Sequence, residues 1–301
     1  MIIIVIASAI VGFDTAAAAG RGEATGPALR VRAPIRIVAA ENFYGDVARQ
    51  VAGPAAQIIS VLHNPAADPH LFEIDVPTAR AIAAADLLIY NGANYDAWVP
   101  RLLASTPSPT RRVIEVAALL HRQGAQANPH LWYDPATMPA VARAVAAQMQ
   151  QLDRPHAGDY AARLQRFLES MGPVDAKIEQ LHRSYAGAAV AATEPVADDL
   201  TSAIGLTMRE QRFQLAIMND TEPGARETAA FERLLRGRQV RALIHNQQAN
   251  GAAIQRLLDI ARQSHVPVVG VTETEPPGLD YQQWMLAELS ALGGALSGSH
   301  P

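Results

Sequence analysis

The feature that most constrains this chain is a twice-repeated alternation of short, nearly continuous apolar runs with stretches of helical spacing. In the first half the runs are Ile35 to Ala39, Gln57 to Leu62, Leu87 to Tyr90 and Arg112 to Val116, with helical patterns at Tyr44 to Val51, Pro77 to Ala85 and Tyr95 to Ala104. The second half offers Ala188 to Thr193, Phe213 to Met218, Val240 to His245 and Val266 to Thr272 as strands. Its helices fall near Asp198 to Ile204, Ala225 to Leu235 and Ala252 to Ser264. Strands buried on both faces read as unbroken apolar runs, and strands joined through helices lie parallel with right-handed crossovers. The expected fold class is α/β: two lobes, each a parallel sheet flanked by helices.

Between the lobes lies a helical stretch, Pro135 to Tyr185, whose later part keeps apolar residues three and four apart (Tyr160, Leu164, Phe167, Leu168, Met171, Ile178, Leu181). It reads as a long rigid backbone helix joining the lobes, with Gly172-Pro173 expected to kink or split it because proline removes a backbone donor. On this pattern 34–134 is the N-terminal α/β lobe, 135–186 the helical segment with the link, and 187–301 the C-terminal α/β lobe. Residues Ile2 to Phe13 form an apolar run too short to span a bilayer, followed by small residues through Ala19, the pattern of a secretory signal peptide over 1–19. Residues 20–33 read as an unstructured lead-in.

Composition removes several functions. The net charge of -4 leaves no basic surface for nucleic acid. Lys177 is the single lysine and follows Ala176, so the chain has no phosphate-cradling GxxxxGK[ST] loop. With no cysteine there is no disulfide, thiolate nucleophile or lipidated cysteine, so any metal must be held by His, Asp or Glu. An exported chain without a lipid anchor belongs in a periplasm.

One short motif occurs twice. Asp68-Pro69-His70-Leu71-Phe72 and Asn128-Pro129-His130-Leu131-Trp132 both read Asx-Pro-His-Leu-aromatic. Proline fixes the backbone entering each histidine and the Asx side chain can brace the turn, so each imidazole has a set position. Both motifs follow an expected strand, which puts them at the carboxyl ends of parallel strands, the ligand crevice of open α/β sheets. Glu194, directly after the run ending at Thr193, and Glu273, directly after the run ending at Thr272, are carboxylates in the matching place of the second half. Two imidazoles and two carboxylates make a mixed nitrogen–oxygen site for one divalent cation between the lobes. His63, His245 and Asp134 lie nearby as supporting candidates, with Asp134 either orienting His130 or capping the next helix. Phe72, Trp98 and Trp132 read as packing around the cleft.

Ala39 to Gly45, Asn64 to His70, Asn91 to Trp98, Asn128 to Pro135, Thr193 to Pro195 and Val271 to Thr274 resemble the zinc/manganese solute-binding proteins of bacterial ABC importers, in the same order from about Ile35 to Leu296. The resemblance implies two α/β lobes on a rigid helix and one Zn2+ or Mn2+ ion, with Fe2+ a further option, bound in the cleft. It also implies a monomeric receptor delivering that ion to a membrane permease with a separate ATPase, and no enzymatic activity. Carried over position by position, the resemblance implies the ligands His70, His130, Glu194 and Glu273, with Glu275 the alternative to Glu273. Many zinc-importing members carry a His-rich acidic loop, whereas Leu119 to Asn128 contains only His121, a departure that favours harder ions while raw affinity still favours zinc. The competing readings are a metallohydrolase using the same cluster and a two-lobed receptor for an organic or chelated ligand. Neither an HExxH nor a GxSxG motif is present.

Overall fold

A computed structural model of the chain describes residues 33–65, 72–124, 127–249 and 251–298. The expected signal peptide and nearly all of the lead-in lie outside them, as does His70. The first half runs β1 (Ile35–Glu41), α1 (Asn42–Ala52), β2 (Ala56–Leu62), α2 (Val76–Ala84), β3 (Leu87–Tyr90), α3 (Trp98–Ser105), β4 (Arg112–Glu115) and α4 (Val116–Leu119). Three helices follow: α5 (Thr137–Leu152), α6 (Ala157–Ser170) and α7 (Gly172–Tyr185). The second half continues with β5 (Ala189–Ala192), α8 (Asp198–Ala203), β6 (Thr207–Arg209), α9 (Gln211–Met218), α10 (Ala225–Arg236), β7 (Leu243–Asn246), α11 (Ala252–Gln263), β8 (Val268–Val271) and α12 (Tyr281–Ser297).

The two sheets share one topology. Their strand orders are β2-β1-β3-β4 and β6-β5-β7-β8, every neighbouring pair parallel. In each sheet the chain moves to one side after its first strand and returns to the other, so a crevice opens at the carboxyl ends between β1 and β3 and between β5 and β7. Polar residues gather at those strand ends.

Helix boundaries follow local chemistry. Asp75 caps α2 by accepting from Thr78 N at 2.8 Å, with Pro77 in the first turn where its missing N–H costs nothing. Asp280 and Gln283 form a reciprocal capping box at the start of α12, and Gly298 ends that helix at φ 74°. Gly172-Pro173 divides the linking stretch as the sequence leads one to expect: α6 stops at Ser170, and Pro173 sits in the first turn of α7.

One expectation fails. Phe213 to Met218 is not a strand but most of helix α9, and the strand is the short β6 before it. Phe213, Leu215 and Ile217 alternate in sequence, which reads as period two. The helix instead buries Phe213 and packs Ile217 one turn on against the same core, leaving Leu215 exposed. The expected helices also leave out α12, although Tyr281, Trp284, Met285, Leu289, Leu292 and Leu296 recur three and four apart.

The halves share a core. One apolar cluster extends from Ile35 and Phe43 through Trp132 and Ile178 to Trp284 and Leu296. Phe43, fully buried at the start of α1, lies with its ring 4.7 Å from Trp132 and 6.0 Å from Trp284 on α12. Polar contacts rim this core: Tyr281 OH donates to Trp132 O at 2.7 Å and Tyr133 OH to Thr272 O at 2.8 Å. Phe43→Ala is therefore expected to cost about 3–5 kcal/mol, since the void opens where three elements meet and none can collapse alone. Urea unfolding of the metal-free protein checks this.

Candidate metal centre

The loop carrying His130 is built around two asparagines. Pro129 fixes the backbone before the histidine. Asn128 Oδ1 accepts from His130 N at 3.0 Å and lies 2.7 Å from His130 Nδ1. An amide oxygen only accepts, so Nδ1 carries the hydrogen and Nε2 is left as the ring's lone-pair nitrogen. Asn128 Nδ2 donates to Pro195 O at 2.7 Å, tying this loop to the one bearing Glu194. Asn91, just past the end of β3, donates to Pro129 O at 2.8 Å and accepts from Tyr44 OH at 2.7 Å.

Two glutamates face the imidazole from the second half. Glu194 follows β5 and Glu273 follows β8, at 4% and 1% exposure, and His130 is fully buried. His130 Nε2 stands 3.6 Å from Glu273 Oε2 and has no hydrogen-bond partner among the described residues. One potential ligand atom from each of His130, Glu194 and Glu273 lies within 4.8 Å of the others. Ligand atoms sharing an ion at about 2.0–2.2 Å stand roughly 3–4 Å apart, so a small contraction closes the set around a cation. Among the described residues this is the one group of three or more such side chains so disposed.

Asn246, the last residue of β7, holds both carboxylates. Its Nδ2 donates to Glu194 Oε2 at 2.8 Å and to Glu273 Oε1 at 2.6 Å, while its Oδ1 accepts from Gln248 N at 3.1 Å. Gln248 Oε1 accepts from Glu273 N at 2.5 Å, closing a ring of hydrogen bonds under the site. Burial alone pushes the His130 imidazole down. The close contact and charge of Glu273, with the charges of Glu194 and Asp198 behind it, outweigh that and hold it above the usual histidine value.

The remaining candidates stand elsewhere. His63 is exposed, its Nδ1 2.8 Å from Val61 O. His245 is half-buried beside Arg262, and burial with that charge lowers its pKa. Asp134 Oδ1 accepts from Ala136 N at 2.9 Å and Oδ2 pairs with Arg122 at 3.3 Å; it braces the turn into α5, and Asn128 orients His130. Glu275 lies outside the cluster, its backbone paired with the Asn42 side chain at 2.7 and 3.0 Å. Burial and the charge of Asp46 push its carboxyl up to about 9. Phe72 packs on Trp98 at 5.0 Å and Trp132 is fully buried, so all three are packing residues.

The sequence reading missed Asn246, Gln248 and a buried acid pair. Glu41, at the end of β1, is fully buried, and burial followed by the charge of Asp96 raises its pKa well above the carboxylate range. Burial pushes Asp96 up to about 6 despite its accepting from Asn91 N at 2.6 Å and Gly92 N at 2.9 Å. The available signal was positional: each of these groups except Gln248 and Asp96 ends a parallel strand.

The family model described as zinc-uptake complex component A, periplasmic, matches residues 37–295. Iron-binding protein YfeA of Yersinia pestis is 26% identical over 153 residues, 48% of this chain and 48% of its own. Manganese-binding lipoprotein MntA of Halalkalibacterium halodurans is 21% identical over 244 residues, 80% of this chain and 71% of its own. The match thus spans about half the length of YfeA and a larger share of MntA. The periplasmic zinc-binding protein TroA of Treponema pallidum superposes with a TM-score of 0.75 at 17% identity, covering 88% of this chain and 99% of TroA, which shows a shared fold. The chain belongs to the family of the periplasmic zinc-uptake component, metal-binding substrate-binding proteins of ABC transporters that are not enzymes.

Proposed function

We propose that this protein captures one divalent transition-metal ion, Zn(II) or Mn(II)/Fe(II), outside the cytoplasm and hands it to the permease of an ABC importer whose ATPase is a separate chain. The ligands in this reading are His130 Nε2, Glu194 and Glu273, with His70 as the fourth. The observation that carries it is the convergence of one buried imidazole and two buried glutamates within 4.8 Å. Two buried carboxylates facing one another gain little from water and much from a shared cation. The relatives are named for iron, manganese and zinc, so kinship alone does not choose the ion. Two imidazoles with two carboxylates suit all three, and raw affinity ranks Zn(II) first. Among the described residues no helix is long and apolar enough to cross a membrane. A periplasmic receptor released from its signal peptide is the form we propose.

Titration of metal-stripped protein with Zn(II), Mn(II) and Fe(II) is expected to show one saturable site. At a free ion concentration about 100-fold above Kd the fold gains about 2.7 kcal/mol, read as a rise in melting temperature. Absence of saturable binding to all three ions removes the proposal. His70→Ala is expected to abolish high-affinity binding while leaving the metal-free melting temperature unchanged; wild-type affinity in that variant removes His70 from the site.

Affinity is also expected to fall with pH. His130 must shed its proton to bind, and because its pKa is raised the loss begins at a higher pH than for an ordinary histidine. Calorimetric Kd values measured from mildly alkaline pH downward check this, and a pH-independent Kd contradicts it.

A further inference from the structure

We infer that Asn246 is a positioning residue that sets metal selectivity, by holding one oxygen of each glutamate so that the site presents few ligand atoms. The inference rests on the metal-receptor reading above and extends it to a residue that touches no ion.

Asn246 is buried at 2% exposure where β7 ends, between the two strands after which Glu194 and Glu273 emerge. Its amide nitrogen has two hydrogens and spends one on each carboxylate, at 2.8 Å and 2.6 Å. The amide cannot turn over, because Gln248 N donates to its Oδ1 at 3.1 Å. Its backbone is fixed as well, Asn246 N donating to Thr193 Oγ1 at 3.2 Å. Gln248 in turn accepts from Glu273 N, so Asn246 Nδ2, Glu273, Gln248 and Asn246 Oδ1 make a closed circuit. That circuit limits how far the Glu273 carboxylate can turn as the ligand atoms draw in around an ion.

Coordination number follows. Glu273 uses Oε1 for Asn246 and turns Oε2 toward His130 Nε2. Glu194 likewise commits one oxygen, Oε2, to the same amide. A carboxylate oxygen bound to a rigid donor is less available to a metal, so each glutamate is biased toward one-oxygen coordination. Beside His130 Nε2, two such glutamates give one ligand atom per side chain, a small set of the kind Zn(II) takes readily. Mn(II) favours a larger, oxygen-rich set, and a second oxygen from either glutamate comes only against the pull of Asn246. The bridging amide also sits between two anions, and it lets them stand side by side before the ion arrives.

The test compares wild type with Asn246→Ala by competition titration with Zn(II) and Mn(II) and by the visible absorption of the Co(II)-loaded protein, which is intense for four ligands and weak for five or six. Orienting groups of this kind are worth about 10–100-fold in affinity, so Zn(II) binding is expected to weaken by that factor while Mn(II) binding changes by less than about threefold. The Co(II) band should lose most of its intensity. Asn246→Ser, which keeps one donor, should give an intermediate ratio and provides the measurement if the alanine variant does not fold. Equal weakening for both ions with an unchanged Co(II) band shows that Asn246 serves only the fold, and unchanged affinities show that it has no role; either overturns the inference while leaving the receptor reading intact. Failure of wild type itself to bind any of the three ions overturns both.

Discussion

Two glutamates buried side by side against a buried imidazole are the constraint on which the site turns. Neither carboxylate can recover in the protein what it loses by leaving water unless donors are aimed at it. The fold supplies some: the Asn246 amide reaches both, and Glu273 is anchored through its backbone to Gln248. Amide donors carry no full positive charge. Arg122, whose partner Asp199 opens α8 just beyond the Glu194 loop, is spent on that aspartate at 2.8 Å and on Asp134 at 3.3 Å. The two glutamates, whose charges also hold the His130 pKa up, give the site its attraction for a cation. His130, held with its Nε2 lone pair inward, adds a neutral donor that favours a transition metal over a hard alkaline-earth ion.

The same arrangement explains why the topology is used twice. A 2-1-3-4 order opens one crevice per sheet, and groups placed at strand ends gain fixed positions from the ladders below them. β3 leads into Asn91, which grips Pro129 and thereby the His130 loop; β7 ends at Asn246, which grips the two glutamates. Each half thus contributes an asparagine at its switch point that holds groups borne on neighbouring loops. Asn128 joins the two systems by bonding His130 on one side and Pro195 on the other.

Much of this was legible in the sequence because the strands announce themselves. Leu87 to Tyr90 is buried along its whole length, and an unbroken apolar run is what a strand covered on both faces requires. Glu194 and Glu273 stand out by the same logic, as acids following such runs. Period failed at Phe213 to Met218, where an eight-residue helix shows too few turns to separate three-and-four spacing from alternation. α12 was passed over although its apolar residues keep helical spacing. Gly293 within it lies close to α7: a Cβ would stand 3.0 Å from Leu181 Cδ2. Asn246 was invisible for a different reason. An amide has no titratable or ligating chemistry of its own to flag, and its value exists only once Glu194 and Glu273 are brought to either side of it.

The shared core also limits how the site can open. Separating the halves would draw Trp132 and Tyr133 away from Tyr281 and Trp284, all nearly fully buried, and expose one continuous apolar cluster. That cost is large against the energy a single ion can return. The contacts nearer the site are polar and few: Asn128 to Pro195, Asn42 to Glu275, and Arg122 to Asp199. Such bonds exchange with water at little net cost. The polar rim is thus easier to part than the hydrophobic base beneath it, and the side chains held most firmly at that rim are those bonded to Asn246.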